Sequence, residues 1–160
     1  MNELITKISS YDLFNYLFPG ILFVTLAKAL TPFSLIQSDL VIGLFVYYFI
    51  GLVISRVGSL IVEPFLKWTH FVVFADYPKY IAAAKKDTKI ELLSEVNNTY
   101  RTITSMLLLL MLAKFYEYLV TIRPALTTLT LWIVMILLFL LFLFSYRKQT
   151  NYISKRVMKK

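Results

Sequence analysis

The 160-residue chain has no cysteine, so disulfides and thiolate-bound metals are excluded. It has one histidine, His70, which is too few for a histidine metal site, and its nine acidic residues show no ligand spacing. Glycine is scarce, with four in all, and no glycine-rich phosphate loop, GxSxG or HExxH occurs. No general base is paired with a serine or threonine, so nothing points to an enzyme, and no cofactor is expected.

What the chain has is apolar length. It is 59% hydrophobic and 16% aromatic, against roughly half apolar for a soluble domain. Its mean hydropathy is +0.71. The excess lies in runs rather than periodic faces, which makes a bilayer the solvent for much of the chain. The reading is an all-α membrane protein, a single integral membrane domain of four transmembrane helices. A helical cytoplasmic segment joins spans two and three.

The first span covers about 13–30, and the pair Pro19-Gly20 inside it should loosen or kink the helix. Ser9, Ser10 and Asp12 precede it as cap candidates. Ala27-Lys28-Ala29 resembles a signal-peptide cleavage site, but Glu3 and Asp12 spoil a positive leader, so a retained helix is favoured. The second span covers about 41–63, where Pro64 ends or bends it. Residues 65–74 read as a helix in the headgroup layer, with Trp68 in the aromatic belt. Thr88 and Glu91 fit a capping box that opens one long helix to about Val120, whose part from 103 to 120 is the third span. The fourth span, about 125–144, has no charge. The cytoplasmic segment is 64–102, and 145–160 is a basic tail.

The net charge of +8 is asymmetric. Lys7, Lys67, Lys79, Lys85, Lys86, Lys89, Arg101 and six tail residues fall on one side. Lys28, Lys114 and Arg123 fall on the other. By the positive-inside rule both termini and the middle segment are cytoplasmic.

Four constellations stand out. Gly51, Ser55 and Ser59 form a small-residue stripe for close helix packing, either within one chain or between subunits. Arg56 lies roughly 7 Å from the centre of its span at 1.5 Å per residue. It either snorkels to phosphates or faces the bundle. Glu63 shares its face two turns on, so both are pore or gate candidates in an oligomer. Lys79, Lys85, Lys86, Lys89 and Arg101, with Tyr80, form a basic patch. Its ligand is anionic lipid or, by stacking and phosphate contact, a nucleotide. Lys114 and Glu117 are spaced to pair near the outer interface. Duplex nucleic acid is not expected, because the bilayer accounts for the charge.

Three stretches carry a resemblance: SSYDLFNYLFPG, YYFIGLVISRVGSLIVEP and ELLSEVNNTYRT. With the four-span plan they resemble the small multi-span membrane components of bacterial anti-phage defence systems. These include the membrane subunit of Kiwa-type systems and the channel effector of Hailong-type systems. The resemblance implies a bacterial inner-membrane homo-oligomer that answers to a nucleotide signal or a cytosolic partner protein. It would act as an ion-conducting effector, or as a sensor and scaffold that recruits a cytosolic defence effector. It assigns no residue.

Overall fold

The structure, a computed structural model, describes residues 12–158. Lys7, Ser9, Ser10, Lys159 and Lys160 lie outside the described residues. Regular structure among the described residues is helical throughout. Four helices are long and apolar enough to cross a membrane: α1 (Leu13–Leu30), α2 (Leu40–Trp68), α4 (Lys89–Ile122) and α5 (Leu126–Val157). A short helix, α3 (Tyr77–Ala84), lies between α2 and α4.

Local chemistry sets most of the ends. At α1, Thr31 turns extended, and both its N–H and its hydroxyl donate to Ala27 O at 2.9 and 2.7 Å. Pro32 then has no N–H to continue the helix. Asp39 caps α2 by accepting from Ile42 N at 2.8 Å. At α4 the expected capping box does not form, since the Thr88 side chain makes no cap bond. The Asp87 carboxylate takes the Lys89 N–H instead, at 2.9 Å, because Thr88 is already in the helical region and Asp87 is one residue further out. Pro124 closes α4, and α5 folds back against it. Tyr116 ties this turn, its hydroxyl 2.6 Å from Thr130 Oγ1 and 3.3 Å from Leu126 O.

Neither internal proline breaks its helix. Each follows a π-helical turn, Leu13–Leu17 before Pro19 and Gly58–Val62 before Pro64. In both, the residue just before the proline donates five back, Phe18 N to Leu13 O and Glu63 N to Gly58 O. The extra residue of a π turn makes room where the proline ring would meet the preceding turn. The second apolar helix therefore runs on through Pro64 to Trp68. The expected separate helix over 65–74 is corrected accordingly. Its first four residues belong to α2, and the rest is turn and coil. His70, at φ 60°, ends α2. The bonds His70 N to Lys67 O (3.1 Å) and Phe71 N to Leu66 O (3.0 Å) make a Schellman cap.

The core lies where α1, α2 and α4 meet. Its buried side chains are Val24 and Ala27 of α1, Ile54 and Val57 of α2, and Met106 and Leu110 of α4. On α4 the buried positions Thr102, Ser105, Met106 and Leu110 recur at helical spacing and form one face. Helix α5 has no buried residue at all. It meets α2 at the Phe142 ring, stacked on Phe49 at 5.8 Å, and α4 at the Tyr116–Thr130 contact.

Candidate functional site

The bundle has one strongly charged end. It is built where α2 passes Pro64 and where α4 and α5 run alongside it. Glu63 sits at its centre. Its Oε2 accepts from Arg101 NH1 of α4 at 2.6 Å, and its Oε1 from Lys67 Nζ at 2.7 Å. The side chain of Glu63 is 13% exposed and that of Arg101 20%, so this pair is largely out of solvent.

Lys148 of α5 reaches the same turn of α2. Its ammonium donates to both Ser59 O and Ser59 Oγ, each at 2.7 Å. The backbone explains why that carbonyl is available. In an α-helix Ser59 O would accept from Glu63 N, but the π turn commits that N–H to Gly58 O. The next residue, Pro64, has no N–H. A half-buried carbonyl left in this way needs an outside donor, and Lys148 supplies it.

Arg56 is half-buried on the side of α2 that meets α1. Its NH2 is 3.5 Å from the Tyr16 hydroxyl, at the outer limit of a hydrogen bond. Arg56 and Glu63, expected to share a face, are thus turned to different neighbours, one to α1 and the other to α4.

The small-residue stripe divides in the same way. At Gly51 the backbones of α1 and α2 touch: a Cβ there would strike the Tyr16 carbonyl. Gly20 is the reciprocal position, where a Cβ would strike the Tyr47 carbonyl and come 3.0 Å from Gly51 N. Ser55 is buried at 3% exposure, whereas Ser59 is turned to α5. The glycine that brings α4 close is Gly58, whose added Cβ would lie 2.6 Å from Ser105 Oγ and 3.4 Å from Arg101 O. Sequence reasoning missed Gly58 and Lys148. A signal for Gly58 was present, since Gly51, Ser55, Gly58 and Val62 follow the spacing of one helix face. Lys148 lies 89 residues from its partner and left no local signal.

The expected basic patch on 64–102 is not one surface. Arg101 leaves it to pair with Glu63. Lys79 is paired in the open with Asp76 at 3.2 Å. Lys85 and Lys86 line a groove along α3 with Tyr77 and Ile81, while Tyr80 is half-buried. Lys89 begins α4 and contributes its backbone N–H to the Asp87 cap. Arg156 of α5 joins this region by donating from Nε to the Tyr77 hydroxyl at 3.2 Å. At the opposite end of α4, Lys114 and Glu117 form the expected surface pair at 2.8 Å. No group of three metal-ligating side chains occurs among the described residues.

The arrangement can neutralise or grip negative charge. Around Glu63 stand Lys67, Arg101 and Lys148, so this end keeps a positive excess after its internal pairs are made. Comparison with protein-family models, with curated proteins and with solved structures finds no match.

Proposed function

We propose that this chain is a four-span membrane subunit that holds a helical platform at its basic end and recruits a cytosolic partner there. The observation that carries this reading is the length of two helices. At 1.5 Å per residue, the 34 residues of α4 and the 32 of α5 extend about 51 and 48 Å. A bilayer's hydrocarbon core is about 30 Å thick. Roughly 20 Å of each helix is left over by those dimensions. The surplus is polar and lies at the same end, as the contacts of Arg101 with Glu63, Lys148 with Ser59 and Arg156 with Tyr77 require. The preponderance of basic side chains there supports a cytoplasmic position for it and for both termini. A bacterial inner membrane and a place in anti-phage defence rest on the resemblance of the three quoted stretches.

The ion-path reading has one observation in its favour. Helix α5 fully buries none of its residues within the chain, which leaves most of its surface for contact between copies. A conducting path would then run between subunits. Arg56 and Glu63 are engaged inside one chain, so neither would line it without first giving up a partner.

Co-expression with the neighbouring genes and purification in detergent separates the two. The recruitment reading expects a stoichiometric soluble protein. That protein is lost when the chain is cut after Gln149, which spares Lys148. Ion flux from proteoliposomes of the chain alone, with no captured protein, would overturn recruitment and support the ion path.

A further inference from the structure

We propose that the cleft between the basic ends of α2 and α5 binds the phosphate headgroup of an anionic phospholipid. The proposal rests on the reading of α2 and α5 as membrane spans. One face of α5 changes character in register along this cleft. Phe144 ends the apolar run, Lys148 follows one turn later, then Asn151 and Tyr152, then Lys155. Arg147 flanks them, and Leu60 of α2 closes the apolar side opposite.

The heights fit a lipid. From Phe144 to Lys148 is about 6 Å along the helix and from Phe144 to Lys155 about 16 Å. The polar layer on each face of a bilayer is about 5–8 Å deep. Phe144 and Leu60 therefore lie at acyl-chain level, and Arg147 and Lys148 at phosphate level. Basic pockets between spanning helices are a recurrent way to hold acidic headgroups.

The charge is uncompensated. No Asp or Glu lies in α5, so its charged side chains are all cations. The nearby acid, Glu63, is already taken by Lys67 and Arg101. Arg147 and Lys155 have no ion-pair partner among the described residues. Lys148 spends two donors on Ser59, and an ammonium has three, so one N–H remains for a ligand. The α3 groove is the weaker candidate because Asp76 and Asp87 stand beside its lysines.

The test uses the full chain in a neutral detergent. It is incubated with equal amounts of phosphatidylglycerol and phosphatidylcholine, and retained lipid is measured by native mass spectrometry. Phosphatidylglycerol should be kept in preference. The Arg147→Gln variant should lose about five-fold in retention, and Arg147→Ala should show the same loss. Lys85→Gln/Lys86→Gln should retain it like the wild type. Equal retention of the two lipids, or a loss from Lys85→Gln/Lys86→Gln as large as that from Arg147→Gln, would overturn the site. Displacement of the lipid by ATP would assign the cleft to a soluble phosphate ligand and overturn the lipid assignment. Release of the protein from native membranes by alkaline carbonate would instead refute the spans themselves, and failure of any soluble protein to co-purify with the full chain would refute only recruitment.

Discussion

Substituting Gly51 by alanine tests the central crossing of the bundle. The new Cβ would fall on the Tyr16 carbonyl, a backbone atom that cannot rotate aside. To restore ordinary contact α1 and α2 must move apart. A gap of about 1 Å forfeits a quarter to a half of each dispersion contact along the crossing. Overfilling a packed site costs about 1–3 kcal/mol, and a backbone-to-backbone site belongs in the upper part, about 2–3 kcal/mol. For a chain of this size each kcal/mol moves the melting temperature by about 2–4 °C, so a drop of about 4–12 °C is expected. Gly20→Ala should behave alike. The Gly20→Ala/Gly51→Ala pair should cost less than the sum, since both act on one gap. Gly43→Ala is the control. Its Cβ would meet only the Tyr47 ring, at 3.3 Å, and alanine gains about 0.5–1 kcal/mol of helix propensity over glycine. The absence of cysteine supplies the assay. Met106, 1% exposed in the core, is changed to cysteine in every variant, and its reaction with a thiol dye is followed against temperature in one detergent. A Gly51→Ala protein that melts with its parent would refute the crossing. A Gly43→Ala protein that falls as far would show that loss of glycine itself, not contact, is responsible.

Three further outcomes follow from the other contacts. Gly58→Ala should destabilise by about 1–3 kcal/mol, and much of that loss should disappear in a Ser105→Ala background, because the atom nearest the new Cβ is Ser105 Oγ; the same melting assay reads both. Glu63→Gln should destabilise by about 1.5–3 kcal/mol by removing the charged acceptor of Arg101, whereas Lys67→Gln, an exposed pair on one helix, should change stability by under about 1 kcal/mol. Lys148→Met should cost about 1–3 kcal/mol by leaving Ser59 O unmatched, and the loss should shrink in a Pro64→Ala chain, whose restored N–H offers that turn a donor; a double-mutant cycle measures the coupling.

Much of the architecture was legible residue by residue. The first apolar helix occupies the expected 13–30, and the long helix expected over 88–120 is observed as Lys89–Ile122. The proline at 64, expected to end or bend the second helix, does not end it: the helix passes through it to Trp68. A π turn is a local solution that no hydropathy pattern records. The tail after 144 was read as basic without a structure, and it continues α5 to Val157. Of the candidate site residues, Gly51 and Ser55 are buried as the stripe required, whereas Ser59 turns away to α5. The expected relation between Arg56 and Glu63 is replaced by separate partners, Tyr16 and Arg101, 40 and 38 residues distant.

The sequence by itself determined the number of the apolar helices and the end at which positive charge collects. Both are properties of contiguous residues. In a helix every backbone partner lies within a turn, so composition and run length suffice. Only the tertiary structure decided which helix each small residue meets and which cation each acceptor receives. Those choices depend on how far two backbones approach and how each helix is rotated about its axis. A glycine shows its worth only where another backbone arrives, as at Gly51 and Gly58. Likewise Lys148 became a structural residue only because the π turn ahead of Pro64 left the Ser59 carbonyl in need of a donor.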